Sequence, residues 1–142
     1  MPATRPAFMY ELQVATQARL TGDTTLMAII TGVFDIAPEG QSFPYITYGQ
    51  HVDGVDPTFS GKMNNEGMFL LDIFSQAGND DECYQVLAEV RRLLQTTPTN
   101  PPLTLADYGV AYISYDWSTI LHETDYNVRH CAVRFRTRAY EL

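Results

Sequence analysis

Apolar residues recur with the period of an α-helix in two main parts of the chain. The stronger pattern predicts a helix after Asn79, because Asn79 and Glu82 have the spacing of a capping box and an apolar stripe follows them. The positions of that stripe are Cys83, Val86, Leu87, Val90, Leu93 and Leu94. A weaker stripe predicts a helix from about Pro6 to Gly22, and Asp23 is expected to cap a short helical turn after it.

Strand-like patterns lie between and after these helices. β-Branched and aromatic residues predict short strands over residues 33–35 and 43–48, and an almost wholly apolar run over 68–74 is typical of a central strand. Alternating patterns predict two final strands over 108–117 and 127–138. In the first strand, one face is expected to carry Ala111, Ile113, Tyr115 and Trp117 and the other face Tyr112, Ser114 and Asp116. In the second strand, the residues expected to face the core are Cys131, Val133 and Phe135. This order predicts one α+β domain over residues 1–142, with a mostly antiparallel sheet and two main helices packed on one face.

A polar stretch over residues 53–66 interrupts the strand pattern. It contains glycine, proline and an Asn-Asn pair, and its flanks look like strands. The sequence therefore predicts either a long loop or the tip of an extended hairpin. Connections of about 14 residues are uncommon inside compact domains and are usually functional or mobile.

Charge and composition narrow the classes of partner. The 142 residues include 17 acidic and 9 basic side chains, which gives a formal net charge of −8. Such a chain binds poorly to phosphate backbones and anionic lipid, because that binding depends on Lys and Arg. The charged fraction of 18% is below the usual value of about 25%, which indicates that partners cover part of the surface. Since no apolar run is long enough to span a bilayer or serve as a signal segment, we expect a soluble protein made inside the cell.

The residue types needed for catalysis or metal binding occur without a diagnostic motif. There is no G-x-S-x-G turn, and the two cysteines lack CxxC spacing, so they are expected to be reduced, buried thiols. His122, Glu123 and Asp125 gather in one predicted turn, where they are interpreted as solvated residues. The alternative is a small hydrolase or metal-dependent enzyme that uses them or His130. We expect no catalytic residue, no cofactor and no metal.

Three arginines alternate along the last predicted strand. Arg134, Arg136 and Arg138 share one strand face and span about 13 Å. One interpretation is a solvated or charge-protected strand. Another is a subunit interface, where the guanidinium groups meet carboxylates of a neighbouring copy. Nucleic-acid binding is a third alternative, which the net charge of −8 disfavours.

Several local patterns occur together in an order that resembles a known family. Residues 26–35 read LMAIITGVFD, residues 43–46 read FPYI, and residues 129–136 read RHCAVRFR. Together with the central strand and its following helix, these segments resemble the tailed-phage tail terminator (tail-completion, minor tail protein) family over residues 8–138. The polar stretch 53–66 and the proline-rich connector 98–102 depart from the family pattern.

The resemblance implies a structural virion protein without catalytic activity. Such proteins form a ring, expected here to be a hexamer, that caps the tail tube, ends its polymerisation and docks the head. The expected partners are further copies of the chain, the major tail tube protein and the head-completion or connector protein. DNA only passes through the lumen, and no membrane is involved. The expected location is the head-proximal end of the virion tail, assembled in the cytoplasm of a bacterial host. A head-completion or neck adaptor of the same particle is the alternative.

Two sets of residues are candidates for these contacts. Arg134, Arg136 and Arg138 are the candidate subunit interface. The candidate contact with the tail tube is the polar stretch 53–66, whose glycines and polar side chains let it order on contact. Its residues are Asp53, Asp56, Phe59, Lys62, Asn64 and Glu66.

Overall fold

Three helices and six strands make up the part of the chain that the computed structural model describes, residues 7–57, 63–122 and 127–140. The helices are α1 (Phe8–Thr21), α2 (Thr24–Met27) and α3 (Asp81–Leu94). The strands are β1 (Val33–Phe34), β2 (Tyr45–Pro57), β3 (Met63–Ser75), β4 (Leu103–Leu105), β5 (Gly109–His122) and β6 (Arg129–Tyr140).

The six strands of these described residues form one sheet with the order β1-β2-β3-β6-β5-β4. β1 runs parallel to β2, and the other four neighbouring pairs are antiparallel. The α+β class agrees with the sequence, and the sheet, which was expected to be mostly antiparallel, is mixed because β1 joins it in parallel. The cause is the connection over residues 35–44, which returns the chain to the same end of the sheet before β2 begins, as a parallel pair requires.

Alternate residues of the central strands are buried and form the core. In β6 the odd-numbered positions from Cys131 to Ala139 are buried, as are Phe69, Leu71 and Ile73 of β3. The buried residues of two helices pack with these strand residues in one hydrophobic core. They are Phe8, Leu12 and Leu20 of α1 and Cys83, Val86, Val90, Leu93 and Leu94 of α3. The apolar stripe predicted for α3 therefore faces the core. That α1 and α3 both lie on one face of the sheet stays a prediction.

β2 and β3 form a hairpin that is longer than the apolar pattern indicates. Their pairing continues from Tyr45–Phe74 to Pro57–Met63, so residues 53–57 and 63–66 of the polar stretch are paired strands. Residues 58–62 lie outside the described residues. Antiparallel strands accept polar side chains wherever a face meets water, which is why polarity alone does not mark the ends of these strands.

A bulge at Asp116 breaks the alternation of β5. Tyr115 lies opposite Phe135 of β6. Trp117, two residues further on, lies opposite Arg134, which is only one residue away from Phe135. The extra residue turns Trp117 onto the face that carries the arginines, where 37% of its surface is exposed. The prediction that Trp117 shares a face with Ala111, Ile113 and Tyr115 is therefore wrong.

The start of α3 also differs from its predicted form. The helix begins at Asp81, with Asp80 as its N-cap residue. Asn79 Oδ1 accepts a hydrogen bond from the Asp81 N–H at 3.1 Å. Instead of completing a capping box, the Glu82 carboxylate accepts a hydrogen bond from the buried Ser75 hydroxyl at 2.6 Å. The end of β3 thus holds the acid that the sequence pattern assigned to the cap.

Candidate interaction surface

The arginine row lies on the side of the sheet that points away from the buried residues of β6. We name the surface that contains Arg134, Arg136 and Arg138 the arginine face. The three side chains are 26%, 70% and 46% exposed, respectively. An open groove of about 750 Å³ runs along the row. The sequence predicts this row correctly because every second residue of an extended strand points to the same side.

Two carboxylates of the same chain pair with these arginines. Asp116 Oδ2 lies 2.6 Å from Arg134 Nε and 3.2 Å from Arg136 Nε. Glu66, which lies opposite Arg138 on β3, forms an ion pair with it. The row therefore carries three positive and two negative charges. Arg136 is the most exposed of the three and has the greatest freedom to bind a carboxylate outside the subunit.

The bulge in β5 explains how one aspartate reaches two arginines. An extra residue bends the strand locally and changes the direction of its side chain. Burial by itself raises the pKa of Asp116, but the hydrogen bonds and charges of Arg134 and Arg136 outweigh it, so the pKa lies below its usual value. Asp116 is therefore ionised at neutral pH and pairs with both guanidinium groups.

Exposed apolar side chains lie among the arginines on the same face. The Arg134 guanidinium lies 5.0 Å from the centre of the Trp117 ring, which is a cation–π contact. Val52, Tyr112 and Leu121 are each about half exposed on this face. Aromatic residues and arginine are enriched in protein–protein interfaces, so the composition of the arginine face fits an interface better than a solvated surface.

A stack of rings occupies the other end of the arginine face. The His130 ring lies 4.6 Å from the Phe74 ring, and Phe74 lies 5.3 Å from Tyr45, both in stacked arrangements. His130 Nε2 is 2.7 Å from Asp72 Oδ1, and both of these side chains are largely buried. These contacts tie β2, β3 and β6 together at this end of the face.

The structure divides the candidate tail-tube residues into those it describes and those it does not. Four of them lie in the paired part of the hairpin: Asp53, Asp56, Asn64 and Glu66. Phe59 and Lys62 lie outside the described residues. Glu66 joins the two candidate sets, since its ion pair places it on the arginine face.

Two of the residues considered for catalysis or metal binding, His122 and His130, are described, and each has a different carboxylate partner. His122 Nε2 lies 3.2 Å from Asp80 Oδ1, whereas His130 contacts Asp72 on another part of the sheet. Residues 123–126 lie outside the described part of the chain. Within the described part, no three His, Cys, Asp or Glu side chains are arranged to hold a metal ion. None of the helices there is both long and apolar enough to cross a bilayer.

Sequence reasoning did not assign Asp116 and Trp117 to the contacts of the arginine face. The alternating pattern places Asp116 on the face opposite to Tyr115 and gives it no partner, and it wrongly places Trp117 on the same face as Tyr115. The available signal was the acid between Tyr115 and Trp117, an interruption in an aromatic segment of the kind that a bulge produces.

The fold defines a class of protein. A chain of the structure described as "Virion of native gene transfer agent (GTA) particle" shares it with a TM-score of 0.81 and 19% sequence identity, over 96% of this chain and 99% of that chain. No curated protein matches the sequence. The fold is therefore one that occurs in a virion.

A family assignment follows from the sequence itself. The family model described as "Tail completion protein gp17" matches residues 14–140, and the chain belongs to this family. The resemblance to tail-completion proteins is thereby confirmed. Membership makes the chain a tail-associated structural protein of a phage virion.

Proposed function

We propose that the chain forms a ring of six identical subunits that caps the head-proximal end of the tail tube, ends tube polymerisation and presents the surface for head docking. The observation that carries this proposal is that a chain of the tail-completion family exposes the arginine face. This surface exposes Val52, Tyr112, Trp117 and Leu121 together with a guanidinium row. Covering such a surface with protein removes apolar area from water and is therefore favourable.

The subunit contact in this proposal uses Arg134, Arg136 and Arg138. Asp116 pairs with both Arg134 and Arg136, but Arg136 is 70% exposed, so its other guanidinium N–H groups can reach a neighbour. The chain has 17 acidic side chains against 9 basic ones, so carboxylates are available on the rest of its surface. A ring contact joins two different patches of the same chain, and an arginine-rich patch that meets an acidic patch satisfies this condition.

The proposed contact with the major tail tube protein lies on the β2–β3 hairpin. The residues proposed for it are Asp53, Asp56, Phe59, Lys62, Asn64 and Glu66. The head-completion or connector protein binds the opposite side of the ring. DNA passes through the lumen without being retained, because a subunit with a net charge of −8 repels phosphates. Assembly takes place in the cytoplasm of the bacterial host.

Deletion of the gene distinguishes this function from that of a head-completion or neck adaptor. Loss of a tail terminator is expected to give overlong tails, because nothing stops tube growth. Loss of an adaptor is expected to give tails of normal length and unattached heads. Electron micrographs of the deletion lysate measure both features, and normal tails would contradict the terminator role.

Complementation of the deletion tests the arginine face. Arg136→Glu is expected to restore tail length poorly, because its negative charge would face the acidic patch proposed for the neighbouring subunit and repel it. Glu39→Lys is the control, since Glu39 is exposed in the connection between β1 and β2. Full complementation by Arg136→Glu would remove Arg136 from the interface.

A further inference from the structure

The outer edge of β2 is open along most of its length. β1 pairs with only two residues of β2, and no other described strand lies on that side. The Ile46 N–H donates to the Gly32 carbonyl on the β1 side at 3.1 Å, so Ile46 directs its backbone groups to this edge. Every second residue of the strand does the same. After the register shift that follows Tyr48, the outward-pointing positions are His51, Asp53 and Val55.

The outer edge of β5 is open over its second half. β4 pairs with the first three residues of β5, and Gln95 Oε1 accepts the Tyr115 N–H at 2.8 Å on the same side. Tyr115 therefore directs its backbone groups to the edge. After the bulge at Asp116 the outward-pointing positions are Ser118, Ile120 and His122. Among the described residues, no backbone hydrogen bond joins these three positions to a segment outside the sheet.

We propose that the open edge of β2 in one subunit pairs with the open edge of β5 in the next, which joins the sheets of neighbouring subunits. The partner is a second copy of this chain, so the inference rests on the proposed ring and adds a backbone contact to the one proposed for the arginines. β2, β3, β6 and β5 are successively antiparallel, which means that β2 and β5 run in opposite directions. A copy related by rotation therefore brings its β2 antiparallel to β5. Because the two edges are different, the contact is head-to-tail and can close a ring.

In one antiparallel register, the three outward positions of β2 lie opposite the three of β5. Asp53 is then opposite Ile120, His51 opposite His122 and Val55 opposite Ser118. The same register brings Val52 opposite Leu121. These two side chains lie on the arginine face and are 46% and 50% exposed in the subunit. Pairing buries both in one cross-strand apolar contact, which stabilises antiparallel strands. Neither strand contains a lysine, the residue that commonly protects a strand edge from association.

The positions of the two edges also fit a closed ring. Ile120, the midpoint of the open β5 edge, lies opposite Cys131, which lies opposite Ile73. Ile73 in turn lies opposite Ile46 of β2. Asp53, the midpoint of the open β2 edge, is about six paired positions beyond Ile46, so the two midpoints are offset along the strands by about 20 Å. The four strands β2, β3, β6 and β5 are together about 19 Å wide. An offset equal to the width inclines the strands by about 45° to the ring axis, close to the usual inclination in closed barrels of about 35–45°.

A double cysteine variant tests this register. In a non-hydrogen-bonded antiparallel pair the Cα atoms lie about 4.5 Å apart, within the range of a disulfide. Mild oxidation of Val52→Cys/Leu121→Cys, both as purified chain and on isolated tails, is expected to convert the monomer into a ladder of covalent multimers on a non-reducing gel. The control is Val52→Cys/Tyr10→Cys, because Tyr10 is exposed on α1, and it should give no ladder. The native Cys83 and Cys131 are buried and do not interfere.

A proline substitution tests the backbone pairing independently. Asp53→Pro removes an N–H that points to the open edge, and proline is accepted where a strand N–H faces outward. Loss of one hydrogen bond is expected to weaken each subunit contact by about three- to tenfold. Asp53→Ala keeps the N–H, so the purified chain should form rings like the wild type, whatever the variant does to the proposed tail-tube contact of Asp53. Ring formation by the purified chain therefore separates the backbone from the side chain.

The outcomes distinguish this inference from the ring itself. A covalent ladder together with weaker assembly of Asp53→Pro supports edge pairing. Rings detected by native mass spectrometry that do not cross-link through positions 52 and 121 would overturn edge pairing and leave the ring standing. If neither the purified chain nor isolated tails contain rings, the proposed function fails, and edge pairing fails with it.

Discussion

Replacing Phe135 by alanine tests which face of β6 supports the fold. The Phe135 side chain is fully buried, stacks on Phe69 with ring centres 5.5 Å apart, and meets Tyr115 edge-on at 6.1 Å. Truncation of a buried phenylalanine to alanine costs about 3–5 kcal/mol, because apolar contacts are lost and a cavity remains. Domains of this size have a free energy of unfolding of about 5–15 kcal/mol, so Phe135→Ala should remove a large share of the stability.

Urea unfolding followed by circular dichroism and by the fluorescence of Trp117 measures this loss. The midpoint for Phe135→Ala is expected to fall while the slope stays unchanged. Arg136→Gln is the matched control, because Arg136 follows Phe135 in the strand and is largely exposed. This substitution should change the free energy of unfolding by less than about 0.5 kcal/mol. Similar losses in the two variants, or a stable Phe135→Ala, would refute the assignment of the two faces.

Burial and hydrogen bonding lead to three more expectations. Burial raises the pKa of Cys83 to about 11 and of Cys131 to about 12, so both thiols should resist iodoacetamide at about pH 8 until the chain unfolds; labelling of the folded chain would contradict this. The pKa of Asp116 lies below its usual value of 3.8, so its ion pairs stabilise the fold above that pH and lose this effect as the pH falls through the folded pKa. The urea midpoint should accordingly fall on acidification, and fall less in Asp116→Asn; an equal fall would count against the ion pairs. Asp23 Oδ2 accepts the Leu26 N–H at 2.9 Å, so Asp23→Ala should lower Tm more than Asp23→Asn, which keeps an acceptor, and equal Tm values would exclude this cap.

Features that one element decides by itself could be predicted from the sequence. The stripe of α3 follows from helical spacing, and the alternation of Phe135 and Arg136 follows from the geometry of one strand. The end of α1 before Gly22 and the cap at Asp23 depend only on neighbouring residues. Local periodicity therefore gave most of the core and the whole arginine row.

Features that depend on a partner strand could not be predicted in the same way. β4 has only three residues, Leu103–Leu105, and is defined by its pairing with β5. The bulge at Asp116 exists only relative to β6, so the pattern of β5 alone misplaced Trp117. The partners of the arginines, Asp116 and Glu66, come from neighbouring strands, which a pattern along one strand cannot reveal.

Single-particle electron microscopy of isolated tails tests the ring most directly. Tails should be isolated from particles that contain this chain, and the subunit structure should be fitted into the density at each end of the tail tube. We predict a closed ring of six copies at the head-proximal end, with β2 of each copy beside β5 of the next. A single copy, or a position elsewhere in the particle, would contradict the proposed function.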